Sequence, residues 1–83
     1  MGEQARKVYV GVQAVFDTDG NVVPLVIEWE DGTQYEIDRI LDIRRAASLK
    51  AGGSGIRYCI KIGNRQSYVW REDDDRWFVE AKA

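Results

Sequence analysis

From Lys7 onward, apolar side chains recur at every second position, and the runs are broken by Gly, Asp and Asn. Val8, Val10, Val12, Ala14 and Phe16 alternate with Lys7, Tyr9, Gly11, Gln13 and Val15. Leu25, Ile27 and Trp29 alternate with Val26 and Glu28. Ile56, Tyr58, Ile60 and Ile62 alternate with Arg57, Cys59 and Lys61. Successive strand side chains point to opposite faces, so a period of two specifies half-buried strands and does not fit helices.

The breaks between runs are turn chemistry. Asp17-Thr18-Asp19-Gly20-Asn21 is a turn rather than a calcium loop, since the later glutamate of such a loop is missing. Asp31-Gly32 suits a type I′ hairpin turn, after which Thr33 to Ile37 pairs back on Val22 to Trp29. Pro24 lacks a backbone donor and suits a strand start or an edge. Gly52, Gly53 and Gly55 look like a phosphate cradle, but the Walker lysine and a following helix are missing, so this segment reads as a hairpin connection. Gly63-Asn64 is a two-residue turn between Ile56–Ile62 and Arg65–Arg71. Glu72 to Asp75 is an acidic turn before the last strand, Arg76 to Ala81.

Two points stay open. Residues 38–49 could form a helix with Ile37, Ile40, Leu41 and Arg44 on one side. A turn at Asp38-Arg39 and a strand from Ile40 to Ala47 is favoured, because every neighbouring segment is a strand. The hairpin 56–71 also carries a conflict. A two-residue turn sets Tyr58 opposite Val69 and Cys59 opposite Tyr68, whereas the alternation suggests that Tyr68 and Trp70 face inward. An extra loop residue or a bulge would reconcile them.

The expected fold is all-β: a small six-stranded antiparallel barrel, SH3-like or a related, partly open one. Curling hides both sheet faces and blunts the edges. Residues 1–6 read as a disordered N-terminal segment and 7–82 as a single β-barrel domain, as suits 83 residues. The expected core is Val8, Val10, Val12, Leu25, Ile27, Ile37, Leu41, Ile43, Ile56, Tyr58, Ile60, Ile62, Tyr68, Trp70 and Val79. Trp77 and Phe78 are adjacent, so they cannot share a sheet face.

Ile37 to Tyr58 and Arg76-Trp77-Phe78-Val79-Glu80 resemble a family of small uncharacterised proteins from Gram-positive bacteria. The resemblance implies a bacterial, cytoplasmic setting and brings no activity, cofactor or partner with it.

Chemistry is constrained by what is missing. With no histidine and one cysteine, the chain has no histidine catalysis, intrachain disulfide or multi-cysteine zinc site. The longest apolar run, Val22 to Ile27, is far short of a membrane-spanning helix. No cofactor is expected. Asp38 with Asp42 and the Glu72–Asp75 cluster are the only candidate catalytic carboxylates, and an exposed turn gives little reason for their pKa values to separate. Cys59 lies between two cations that could activate a thiolate, but no general base stands near it.

Charge is segregated. Residues 1–38 carry two basic and eight acidic groups, 39–65 carry seven basic and one acidic, and 66–83 carry three and five. Arg44, Lys50, Arg57, Lys61 and Arg65 form a candidate basic surface. Tyr9, Trp77 and Phe78 form a candidate aromatic interface. Together these support a non-catalytic protein-interaction or assembly module, with a protein partner or self-association. The alternative is a weak nucleic-acid-binding barrel that uses residues 39–65 and is opposed by the net charge of −2.

Overall fold

The computed structural model describes residues 5–48 and 51–82. Its strands are β1 (Ala5–Phe16), β2 (Val22–Glu28), β3 (Gln34–Glu36), β4 (Arg39–Ala47), β5 (Ser54–Ile62), β6 (Arg65–Arg71) and β7 (Trp77–Lys82). They form one antiparallel sheet in the order β3-β2-β1-β7-β6-β5-β4. No helix long and apolar enough to cross a membrane occurs among the described residues.

The all-β expectation holds, and residues 39–47 are a strand. The strand count does not hold, and the barrel is not closed. There are seven strands, one for each of the seven segments that alternation and turns mark out, which the count of six understates; β3 pairs with β2, and β4 with β5. The sheet curls into a half-barrel whose edges, β3 and β4, share no ladder. Only Ile37 and Asp38 separate these edges in sequence. The Ile37 amide donates to Leu25 O and the Asp38 amide to Lys61 O, so the chain crosses from one edge of the half-barrel to the other at this point.

β1 is long enough to serve two partners. Ala5 to Val10 pairs with β7, and Gly11 to Phe16 pairs with β2. Ala5 and Arg6, expected in the frayed terminus, are the first ladder residues, opposite Lys82 and Ala81. The rest of that expected segment lies outside the described residues.

The concave face holds the core: Val8, Ile27, Tyr58, Ile60, Val69 and Val79, with Val10, Val12, Ile56, Ile62 and Trp77 packed against it. Tyr58 is almost fully buried and donates from its hydroxyl to Val22 O at 2.8 Å, tying β5 to the opposite wall. Hairpin β5–β6 takes the simple register, with Tyr58 opposite Val69 and Cys59 opposite Tyr68. The conflict is therefore settled in favour of Val69, and Tyr68 and Trp70 fall on the outer face.

Four expected core residues are exposed: Leu25, Leu41, Ile43 and Tyr68. Leu25 and Leu41 are the unpaired residues at two register shifts, which release them from the pleat. Ile43 lies on the edge strand, where one flank has no neighbour. Tyr68 is set outward by the hairpin register.

Three connections share one form that differs from the expected type I′ turn. At 29–33, the Gly32 amide donates to Trp29 O and the Trp29 amide to Thr33 O. Only Gly32 has a positive φ there. This is a three-residue loop, a type I turn followed by a left-handed residue. Residues 17–21 and 72–76 repeat the bonding pattern, with Asp75 (φ 68°) in the glycine's place in the latter.

Candidate functional site

Strand parity sorts the candidate residues onto two faces, because antiparallel partners share a face. Arg44 is opposite Arg57, and Arg39 is opposite Lys61. Arg57, Cys59 and Lys61 alternate along β5, so Arg39, Arg44, Arg57 and Lys61 stand on one outer face with Asp42. Arg65 is opposite Ile62 and lies on the concave side, which removes it from the expected basic surface. Lys50 lies outside the described residues.

Asp42 accepts from Arg44 Nε at 2.7 Å, and Arg45 Nη2 reaches Asp73 at 3.2 Å. Among the described residues, Arg39, Arg57, Lys61 and Arg65 make no ion pair. The Arg57 guanidinium lies 4.7 Å from the centroid of the Tyr68 ring, and its Nε is buried without a hydrogen-bond partner. The outer face is therefore a cationic strip beside an aromatic, and it is only partly neutralised.

The aromatic candidates separate. Trp77 packs inside against Tyr58, with centroids 5.3 Å apart, so it is no outer platform. Phe78 is on the outer face but fully buried, stacked on Trp70 at 5.2 Å with the rings 4° from parallel. Tyr9 alone of the three is exposed. Phe78, Trp70 and buried Cys59 make a second, smaller apolar cluster behind the main core. Lys7 Nζ caps it, 4.7 Å from the Phe78 centroid. On the same face Ser48 Oγ donates to Glu80 at 2.7 Å.

A network borders this cluster. Lys7 Nζ donates to Glu72 at 2.8 Å, and the Tyr9 hydroxyl donates to the other Glu72 oxygen at 2.7 Å. Lys7 and then Tyr9 hold the Glu72 carboxyl below its usual range, and Glu72 raises Lys7. Both groups are thus kept in their charged forms, which suits a clamp between β1 and the β6–β7 turn. Asp38 and Asp42 are likewise committed: Asp38 accepts from the Gly63 amide, and Asp42 holds Arg44. Among the described residues, no three His, Cys, Asp or Glu side chains converge as metal ligands.

Two openings interrupt the sheet. β6 pairs with β7 only through Trp70–Phe78 and Arg71–Trp77, then diverges. Below the divergence lies a groove of about 460 Å³, lined in part by Ile27, Trp29, Tyr35, Ile62 and Arg65. Sequence reading missed it, because strand divergence has no local residue signature. The second opening is the free flank of β4, which among the described residues has β5 alone as its neighbour. Beside it are Leu41, 45% exposed, and Ile43, 47% exposed.

No family model matches the chain, and no curated protein and no solved structure is similar to it.

Proposed function

We propose that the protein is a non-catalytic interaction or assembly module that takes an extended partner segment on the open flank of its half-barrel. The carrying observation is β4, a nine-residue edge strand without a second neighbour and with two exposed branched apolar side chains. An edge strand presents unpaired backbone donors and acceptors, and a partner strand satisfies them while its side chains read the flanking positions. The occupied carboxylates and the capped thiol cluster fit binding better than catalysis. The bacterial, cytoplasmic setting implied by the resemblance belongs to this proposal.

Selection of displayed random peptides tests it. Peptides retained by the wild type and lost with Ile43→Lys support the reading, provided the variant melts as the wild type does. Peptides that bind both equally, or none that bind, contradict it.

A second reading, binding of nucleic acid, is favoured by one observation: Arg39, Arg57 and Lys61 lack ion pairs on a face that also carries Tyr68. Titration with short DNA and RNA at about 50 mM salt checks it. Phosphate contacts give an affinity that falls steeply with salt. Replacing Arg57 and Lys61 with alanine then weakens all sequences about equally.

A further inference from the structure

We infer that the segment received on β4 is an acidic strand, one that alternates carboxylate residues with branched apolar residues. This rests on the reading of β4 as a docking edge and adds the chemistry of its partner.

Three observations set that chemistry. The first is register. The shift at Leu41 divides β4, leaving Asp42 to Ala47 paired in unbroken register with Cys59 to Ser54. A bulge twists an edge away from further pairing, so docking is confined to this stretch and involves a short segment rather than a whole sheet.

The second is the difference between the faces. An added strand places alternate side chains on the two faces of the sheet. On the concave side it would meet Ile43, opposite Tyr58 and 47% exposed, with Arg45 beside it held by Asp73. On the outer side it would meet Asp42 and Arg44, with Arg57 directly behind Arg44 on β5; the Arg39–Lys61 pair lies past the shift at Leu41, outside the docked stretch. Asp42 offsets Arg44 in part.

The third is that this charge is not used within the fold. The chain carries more acidic than basic groups, yet among the described residues Arg39, Arg57 and Lys61 have no ion pair. The acidic groups of residues 17–36 lie on β2, β3 and their turns, and those of 72–75 on the β6–β7 turn. A solvated face that served only solubility would not require the cations to line up on opposed positions of two adjacent strands. An incoming carboxylate set opposite Arg44 meets it directly, with Arg57 one strand behind, and opposite charges across strands are favourable. A second copy of β4 suits the site less well, since it would bring Arg39, Arg44 and Arg45 against the same residues.

The test uses the whole chain and three labelled peptides: alternating Val and Glu, alternating Val and Lys, and alternating Val and Thr. Fluorescence polarisation gives affinity, and backbone amide shifts locate the site. The expected result is that the Glu peptide binds about threefold more tightly than the Thr peptide, with the Lys peptide weakest, from one direct cross-strand charge pair at Arg44. Shifts should concentrate on Asp42 to Ala47. Arg44→Glu, a change at an exposed position, should reverse the order of the Glu and Lys peptides. Equal binding of all three at β4 overturns the acidic partner and leaves the docking edge standing. Binding of none at β4 overturns both. A single-stranded oligonucleotide that binds these residues more tightly than the Glu peptide also overturns the inference, and assigns the strip to phosphate.

Discussion

Three side chains converge on Glu72. Lys7 and Tyr9 donate to different carboxylate oxygens, Arg76 Nη2 stands 3.9 Å away, and the Lys7 and Glu72 side chains are 24% and 17% exposed. Glu72→Gln should cost about 1.5–3 kcal/mol near neutral pH, the range for hydrogen bonds to a charged group. The pH dependence has a definite sign. The Glu72 pKa is lowered on folding, so its contribution is present above the ordinary value of 4.5 and is lost as pH falls through the lower folded value. Lys7 is raised, so its contribution is present below 10.5 and is lost as pH rises through the folded value. Thermal melts of the wild type and Glu72→Gln should therefore converge in acid and diverge toward neutrality. A constant difference across that range would show that Glu72 acts through packing. Tyr58 offers a second check. Tyr58→Phe leaves Val22 O without its donor inside the core and should cost about 1–3 kcal/mol in denaturant unfolding.

At the level of the elements, the turns repay comparison. Gly20 and Gly32 fill the left-handed position of two loops, and Asp75 fills it in the third. A non-glycine residue there costs roughly 1–2 kcal/mol, part of which glycine loses again as chain entropy in the unfolded state. Asp75 also accepts from Arg71 at 2.8 Å, but it is 78% exposed, where ion pairs contribute little. Asp75→Gly should therefore stabilise the domain by about 0.5–1 kcal/mol, visible as a raised melting temperature. Gly55 predicts the opposite. A Cβ there would overlap Arg71 O, a backbone atom that cannot swing away, so Gly55→Ala should disrupt the start of β5 and lower the melting temperature. The elements were legible in the sequence because alternation and turn chemistry are local. β4 was legible by consistency with its neighbours, although its own propensities were divided. Facing was legible only where a turn fixed the register. Gly63 at φ 59° makes the tight turn that sets Val69 inward, and the aromatic alternation at Tyr68 and Trp70 pointed the other way because Trp70 stacks on Phe78 on the outer face and Tyr68 lies between Trp70 and Arg57. Leu25 and Leu41 were read as core because a bulge changes facing without changing the residue pattern.

For the molecule as a whole, the half-barrel follows from how few residues join its edges. Ile37 and Asp38 carry the chain from β3 to β4 without a ladder between them, so one flank of the sheet stays open. The segregated charge of the sequence then becomes spatial. Arg44, Arg57 and Lys61 were readable as one surface from strand parity alone. Arg65 does not join them, because the two-residue turn sets it opposite inward-facing Ile62, and the grouping of Trp77 with Phe78 failed because adjacent strand residues face apart. Whether the flank is open is the central claim, and amide hydrogen exchange of the dilute free protein tests it most directly. Along Asp42 to Ala47, amides that donate to β5 should exchange slowly and those between them quickly, giving alternating protection in the absence of any partner. Slow exchange at every consecutive amide of that stretch would mean that β4 is already paired on both sides, and would contradict the account.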